Sequence, residues 1–276
     1  LPSHLRGGLA RALSTCGIAG YLGDFAAELL PRMNQAQAHR GPDGQGVWSS
    51  GRVGLAHVRL AILDLSPAGH QPMSDVRGRV TLVFNGEIYN YRELRARLER
   101  EGATLRGSSD TEVLVELLAR HGRRCLPWLN GIFAFAAWFP AEHKLLLARD
   151  AAGVKPLYWT KTPEGWLFAS ELKSFRGIPG VDWSLDPTAV SAYLTLLYAP
   201  GELTPAKGVR KLMPGSYLEW SPIFGGAVVS VAISTIMAAF GSALGLSLHG
   251  HSEELILRVD TADSAGVGSL CFAKNM

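Results

Sequence analysis

The chain has 276 residues, of which 47% are hydrophobic and 18% are charged, and its formal net charge is +3. This length and composition are typical of a globular protein with one large domain or two modest ones, and they exclude a disordered or fibrous chain. Basic and acidic residues alternate, as in the stretch 92–99, so the charge pattern excludes a nucleic-acid-binding stripe.

The chain has three cysteines, Cys16, Cys125 and Cys271. They are too few and too far apart for a disulfide framework or a zinc-ligand pattern, so we expect no metal site. Free cysteines fit a reducing, cytoplasmic compartment. Residues 1–15 lack the apolar run of a secretory signal.

Short apolar runs separated by Gly, Pro, Asn and Asp follow Cys16 along the chain. They predict β-strands, and many strands with few intervening helices predict a layered α+β architecture rather than a βαβ array. The predicted strands are residues 80–84, 132–139, 144–148 and 166–169, with residues 140–143 as a hairpin connection.

Two helices are predicted within this strand-rich part. One covers residues 92–101. The other has Ser109 as N-cap, because Ser109 and Glu112 have the spacing of a capping box, and it ends near Gly122.

The chain changes character after residue 175. Residues 176–220 contain five prolines and are interpreted as a linker with one helix, which has Asp186 as N-cap and Pro187 at its first position. Residues 223–248 contain no charged side chain, and as a helix they would extend for roughly 39 Å, enough to cross a hydrocarbon core of about 30 Å. A transmembrane helix, a buried helix and an out-of-frame translation product are all compatible with this segment.

Four short motifs contain candidate functional residues, and each has a simple structural interpretation by itself. A lone cysteine such as Cys16 is usually a core residue. Arg59 lies in an alternating stretch, where an arginine is usually at the surface. Asn85-Gly86 is typical of a type I′ hairpin turn, and Asp110 is a favourable acid in the first turn of a helix.

Taken together and in this order, the motifs resemble those of the class II glutamine amidotransferases, and among them the asparagine synthetases. The resemblance covers about residues 16–220. The matching strings are Cys16-Gly17-Ile18-Ala19-Gly20, His39-Arg40-Gly41-Pro42-Asp43, Arg59-Leu60-Ala61-Ile62, Phe84-Asn85-Gly86-Glu87-Ile88-Tyr89-Asn90, Ser109-Asp110-Thr111-Glu112, Asn130-Gly131-Ile132-Phe133, Ala148-Arg149-Asp150, Gly153-Val154-Lys155-Pro156-Leu157-Tyr158, Ala169-Ser170-Glu171-Leu172-Lys173 and the run 210–218.

The resemblance implies an N-terminal-nucleophile hydrolase fold, which is a four-layer αββα sandwich of two antiparallel sheets between helices. It implies that Cys16 is the nucleophile, with its own α-amino group as general base. The oxyanion hole would consist of the Asn85 side chain and the Gly86 backbone N–H. The glutamine substrate would be held by Arg59 at its α-carboxylate, by Asp110 and Glu87 at its α-ammonium group, and by the pocket residues Leu60, Ala61, Ile62, Leu63, Asn85 and Gly86.

Two features depart from the family pattern. A free amine on Cys16 is required, so we expect residues 1–15 to be removed or to result from a wrongly assigned start. The Ser-Gly-Gly-x-Asp-Ser phosphate loop of the asparagine synthetases does not occur after Trp220. We therefore divide the chain into an extension (1–15), an amidotransferase domain (16–175), a linker or start of a truncated synthetase domain (176–220) and an unmatched tail (221–276).

These features predict Cys-dependent hydrolysis of glutamine to glutamate and ammonia without a cofactor. The ammonia would serve the amidation of aspartate on a synthetase domain that is absent from this chain. Only that synthetase domain would use ATP and magnesium. Expected partners are a separate synthetase domain or a second copy of the chain, and no nucleic acid. Two alternatives are the glutaminase domain of another class II amidotransferase, and a catalytically silent binding module tethered to a membrane by residues 223–248.

Overall fold

The structure is a computed structural model that describes residues 15–60 and 69–221, together with the backbone of a strand at residues 229–232. Within these residues, neighbouring strands run antiparallel in two six-stranded sheets. The strands are β1 (Gly17–Gly23), β2 (Gly44–Ser50), β3 (Val53–Arg59), β4 (Met73–Ser74), β5 (Thr81–Ile88), β6 (Gly131–Phe139), β7 (Lys144–Arg149), β8 (Tyr158–Thr162), β9 (Gly165–Ala169), β10 (Val209–Lys211), β11 (Ser216–Trp220) and β12 (Val229–Ala232).

Four α-helices accompany the sheets in the described part of the chain. They are α1 (Leu29–Ala36), α2 (Tyr91–Arg100), α3 (Asp110–His121) and α4 (Pro187–Leu196). Short 3₁₀ helices cover Ala38–Arg40, Gly122–Trp128, Pro140–Glu142 and Leu172–Phe175.

The strand order brings distant parts of the chain together around β1. The first sheet has the order β10-β8-β9-β1-β3-β2, and the second has the order β12-β11-β7-β6-β5-β4. Ile18 lies opposite His57 on one side of β1, and Ala19 lies opposite Ala169 on the other. Cys16, which immediately precedes β1, is therefore held at the end of an interior strand.

Three buried apolar clusters define the order of the layers. The cluster between the sheets combines Ile18 and Leu55 of the first sheet with Val83 and Leu147 of the second. A second cluster packs the outer face of the second sheet against α2 and α3, and a third packs the first sheet against α1. The predicted αββα sandwich is confirmed, and each layer buries the apolar face of its neighbour.

The predicted helix starts are confirmed by their hydrogen bonds. The Ser109 side chain accepts a hydrogen bond from the Glu112 backbone N–H at 3.2 Å, which is the N-cap half of a capping box. The Glu112 carboxylate bonds the backbone N–H groups of Arg106 and Gly107 and so holds the preceding loop. Asp186 caps α4 in the same way as Ser109 caps α3.

The interpretation of Asn85-Gly86 as a hairpin turn is wrong. Both residues lie within β5, where Asn85 pairs with Ala134 and Gly86 pairs with Phe133. A Cβ atom at Gly86 would lie 2.2 Å from the carbonyl oxygen of Ile132. The glycine is required because two backbones approach closely, and turn propensity is overridden by the pairing with β6.

The two sheets extend beyond residue 175, where the sequence analysis placed a linker. Strand β10 pairs with β8 in the first sheet, and β11 pairs with β7 in the second. Strand β12 pairs with β11, so a continuous helix over residues 223–248 does not agree with the structure at residues 229–232. The rest of that segment lies outside the described residues. Within the described part, no helix has the length and apolar character needed to cross a membrane.

Candidate active site

The candidate residues meet because of the alternation of side chains along strands. Cys16 is two residues from Ile18, which belongs to the cluster between the sheets. Arg59 has the same parity as Leu55 on β3, and Asn85 has the same parity as Val83 on β5; both Leu55 and Val83 belong to that cluster. Cys16 and Arg59 from the first sheet and Asn85 from the second are therefore directed towards the space between the sheets.

These residues share one cavity at an end of the space between the sheets. Its volume is about 110 Å³, whereas one water molecule needs roughly 10–15 Å³ by such a measure, so the site has room for a small solute. The lining residues include Cys16, Arg59, Leu60, Asn85, Gly86 and Asp110, six of the predicted site residues, together with Thr15, His57, Gly69, Gln71, Phe84, Ser109, Thr111 and Lys155.

Of the other four predicted site residues, one is described and three are not. Glu87 is exposed at the end of β5 and acts on Asp110 only through its charge. Ala61, Ile62 and Leu63 lie outside the described residues.

The Cys16 sulfur lies against the backbone of Leu60. The Leu60 N–H donates to Sγ at 3.3 Å, and Sγ lies 3.6 Å from the Leu60 carbonyl oxygen. Burial raises the pKa of the Cys16 thiol, while the Leu60 backbone and the positive charges of Lys155, Arg59 and Arg40 act in the opposite direction. Because the net shift is upward, the thiol is protonated at neutral pH and needs a base before it can act as a nucleophile.

Arg40 fixes the backbone of the residue that carries this thiol. Its Nε donates to the Cys16 carbonyl oxygen at 3.1 Å, and its Nη1 donates to Glu171 Oε1 at 2.7 Å. Its Nη2 donates to the Thr15 hydroxyl. Arg40 stands in a string that the sequence analysis noted without giving it a role, because local sequence does not indicate which backbone it contacts.

Two donors converge on the cavity from β5, and the first is a side chain. The Asn85 Nδ2 atom is buried and has no hydrogen-bond partner among the described residues. Leaving a buried donor unpaired costs about 1–3 kcal/mol. Such a donor beside a nucleophile is suited to an oxygen atom that becomes negatively charged during a reaction.

The second donor is the backbone N–H of Gly86. Phe84 N–H donates to Gln71 Oε1 at 2.6 Å, and Ile88 N–H donates to Asp110 Oδ2 at 3.0 Å. In an extended strand, N–H groups two residues apart point to the same edge. The Gly86 N–H lies between these two, so it points to that edge, where Gly86 lines the cavity.

Asp110 provides a buried acid at the first position of α3. Burial raises the pKa of its carboxyl group; the backbone N–H groups of Ile88 and Thr111 act against this shift, and the charge of Glu87 adds to it. A cationic ligand beside the carboxylate would favour its ionised form. The position is therefore suited to an ammonium group.

Arg59 provides a buried cation at the end of β3. Its backbone carbonyl accepts a hydrogen bond from the Asp43 N–H at 3.0 Å, which fixes the strand end. A guanidinium group binds a carboxylate through two parallel hydrogen bonds. Arg59 and Asp110 together suit the two charged ends of a free amino acid.

Three further cavity residues, His57, Gln71 and Lys155, were not predicted from the sequence. Burial lowers the pKa of His57 to about 3, so its imidazole is neutral at physiological pH and is not a source of positive charge in the site. The parity of His57 with Arg59 on a predicted strand is a signal that could have found it. Gln71 and Lys155 reach the cavity from loops, for which no periodic pattern exists.

Comparison of the sequence with known proteins finds a matching family and several relatives. A family described as "Glutamine amidotransferase domain" matches residues 15–223. The chain is 40% identical over 195 residues to asparagine synthetase [glutamine-hydrolyzing] 1 of Bacillus subtilis. This alignment covers 71% of the chain and 30% of the relative. The chain is also 39% identical over 188 residues to amidase chry2 of Gibberella zeae. That alignment covers 67% of the chain and 27% of the relative. The chain thus spans about three tenths of the length of these relatives.

A solved structure shows the same fold. The glutamine phosphoribosylpyrophosphate amidotransferase of Bacillus subtilis superposes with a TM-score of 0.58 at 21% identity, over 79% of this chain and 49% of that one. At this identity the likeness concerns the arrangement of strands and helices alone.

Proposed function

This chain belongs to the family of glutamine amidotransferase domains, and we propose that it hydrolyses the side-chain amide of glutamine with Cys16 as nucleophile. The observation that carries the proposal is a single cavity that unites the Cys16 sulfur, the unpartnered Asn85 amide, Arg59 and Asp110. These groups correspond to the nucleophile, the oxyanion donor and the two ends of an amino acid.

The first half of the reaction forms a covalent intermediate. Arg59 holds the α-carboxylate of glutamine and Asp110 holds its α-ammonium group, with the exposed Glu87 contributing its charge. The Cys16 sulfur attacks the side-chain amide carbon, and the free α-amine of Cys16 accepts the thiol proton. The Asn85 Nδ2 and Gly86 N–H stabilise the oxyanion, and the resulting ammonium of Cys16 returns the proton to the departing nitrogen. Ammonia leaves, and a γ-glutamyl thioester remains on Cys16.

The second half of the reaction regenerates the enzyme. Water attacks the thioester carbonyl carbon while the Cys16 α-amine accepts a proton from the water. The resulting ammonium passes this proton to the departing sulfur, so that the thiol and the free amine are regenerated and glutamate is released. The pocket residues Leu60, Ala61, Ile62 and Leu63 would enclose the substrate chain in both halves. No step requires a metal ion or an organic cofactor.

The test measures glutamate and ammonia released from glutamine by protein whose first residue is Cys16. We expect equimolar products, and we expect Asn85→Ala to lower kcat by about 10²–10³-fold, because one oxyanion donor contributes about 2.7–4 kcal/mol in the transition state. KM should change little, since the donor acts mainly on the transition state. Asn130→Ala, which alters an exposed asparagine outside the cavity, should retain full activity. A folded protein without glutaminase activity would contradict the proposal.

The ammonia released here would be used to make asparagine, the product in the name of the Bacillus subtilis relative, and we propose that a separate ATP-dependent synthetase transfers it to aspartate. In the structure, several large apolar side chains in and beside α4 are exposed, and we infer that they form the surface such a partner contacts, because exposed apolar patches mark interaction sites. Ala189 is the one buried residue of α4. The α4 surface consists of Trp183, Leu185, Tyr193, Leu194, Leu196, Leu197 and Tyr198.

The partner proposal is tested by separating two activities in protein purified from its native host. Leu194 and Leu197 are 75% and 80% exposed, so Leu194→Lys with Leu197→Lys should leave glutamine hydrolysis unchanged. The same double variant should lose asparagine formation from glutamine, aspartate and MgATP. Val47→Lys, at an exposed apolar residue of β2, should retain both activities. Asparagine formation by the double variant at the wild-type rate would overturn the proposal, as would a dimer of this chain that forms no asparagine.

A further inference from the structure

The cavity contains a positive charge to which the proposed reaction gives no role. Lys155 lines the same cavity as Cys16. Its side chain is half-buried, and among the described residues its ammonium group has no hydrogen-bond or ion-pair partner. A cation that shares a cavity with a thiol acts on it through its charge.

The loop that carries Lys155 is held from one side by a carboxylate. The Asp150 carboxylate accepts hydrogen bonds from the N–H groups of Val154 at 2.9 Å, Lys155 at 3.0 Å and Phe133 at 3.2 Å. Phe133 belongs to β6, so this carboxylate ties the loop to the second sheet. These bonds fix the backbone nitrogen of Lys155.

The same loop is held from the other side by a guanidinium group. The Arg149 side chain donates to the carbonyl oxygens of Lys155 at 2.7 Å, Leu212 at 2.6 Å and Gly153 at 2.5 Å. Gly153 has a φ of +64° and lies against Pro214, where a Cβ would approach a ring carbon to 2.7 Å. Both backbone polar groups of Lys155 are therefore fixed, which is how a protein holds a functional side chain in one place.

Lys155 differs from the two other cations near Cys16. Arg40 is paired with Glu171 at 2.7 Å, and Arg59 is engaged by the substrate carboxylate in the proposed reaction. The charge of Lys155 alone stays available to Cys16 throughout the reaction. We propose that Lys155 is a positioning residue that activates Cys16 by holding a positive charge in the cavity that the two residues share, from which it acts on the sulfur and on the α-nitrogen. The proposal rests on the proposed function for its catalytic consequence.

The direction of the effect follows from electrostatics. A positive charge favours the thiolate over the thiol and the neutral amine over the ammonium, so it allows the nucleophile and its base to work at lower pH. The interaction between Lys155 and Cys16 opposes the effect of burial on the pKa of both groups. The other charged groups that act on these two residues or line the cavity are Arg40, Arg59, Glu87, Asp110 and Asp150, and all stay in place when Lys155 is replaced.

The experiment compares pH profiles of kcat/KM for glutamine. In Lys155→Met we expect the acid limb of the kcat/KM profile to move to higher pH by about 0.5–1 unit. The shift is modest because solvent partly screens the charge of Lys155. Below the limb, this shift lowers kcat/KM by about three- to tenfold, and activity recovers at high pH. Lys155→Arg, which keeps the charge, should restore the wild-type limb. Lys161→Met removes an exposed lysine from β8 and should leave the profile unchanged.

A second measurement distinguishes failure of this inference from failure of the proposed function. The rate of Cys16 alkylation by iodoacetamide, followed by peptide mass spectrometry, reports the thiolate without requiring hydrolysis of glutamine. Its pH dependence should move upward in Lys155→Met and not in Lys161→Met. Unmoved profiles in a folded Lys155→Met protein overturn the inference. Wild-type protein that is alkylated in the predicted way but hydrolyses no glutamine overturns the proposed function and leaves the inference standing.

Discussion

Replacing Cys16 by alanine is expected to abolish glutamine hydrolysis, with a loss of about five to six orders of magnitude in kcat, as for other nucleophile deletions. The thiol is the one group at this site that can form the thioester, and neither Asn85 nor Arg59 can replace it. Ammonia release by protein starting at residue 16 measures the effect. The cavity should persist, because Leu60, whose N–H bonds Sγ, directly follows β3, and the Arg59 carbonyl at the end of that strand is held by the Asp43 N–H.

The control for this substitution is the second described cysteine. Cys125 is fully buried in the cluster between the second sheet and its helices, and burial raises the pKa of its thiol to about 12, so it is unreactive. Cys125→Ala should lose some stability by leaving a small cavity but should keep wild-type kcat per folded molecule. The Cys16→Ala protein should still bind glutamine in calorimetry, since Arg59 and Asp110 are intact. Residual activity above 1% of wild type would show that another group is the nucleophile.

The positions of Asp110 in the first turn of a helix and of Arg59 at the end of a strand were predictable from local signatures, whereas the roles proposed for these residues come from the family resemblance. Ser109 and Glu112 mark the start of α3 and thereby place Asp110 in its first turn. The alternation of β3 places Arg59 on the same face as Leu55. Such patterns extend over a few residues, so they can be detected in a single sequence.

The remaining features depend on contacts that local sequence does not contain. Strands β10 and β11 are short and follow a proline-rich stretch, and they become strands by pairing with β8 and β7 about 50–70 residues earlier. The Asn85-Gly86 pair has the composition of a turn, yet β6 holds it extended. Lys155 reaches the cavity because Asp150 and Arg149 hold the backbone of its loop, and no spacing in the sequence indicates this arrangement.

Protein that retains Thr15 in peptide linkage to Cys16 is expected to hydrolyse no glutamine, whereas removal of residues 1–15 should generate full activity. Histidine, the usual general base, does not fill this role among the described cavity residues: His57 has its pKa lowered to about 3 by burial, and no other described histidine lines the cavity. An amide nitrogen does not accept a proton at neutral pH. The α-amine of Cys16, freed from the peptide bond, is then the group that can take the proton from a thiol whose pKa is raised by burial.

The comparison uses one preparation before and after cleavage of the Thr15–Cys16 bond by an engineered protease site. We expect ammonia release to rise in proportion to the fraction of chains that begin with Cys16, measured by mass spectrometry. Iodoacetamide should alkylate Cys16 in both forms, which separates loss of the base from a blocked or collapsed cavity. Thr15 contacts Arg40 through its hydroxyl, so Thr15→Val in the uncleaved protein checks whether that contact matters, and this variant should also be inactive. Equal glutaminase rates before and after cleavage would mean that the proton goes to a group other than the Cys16 amine, and the proposed chemistry would have to be rebuilt around that group.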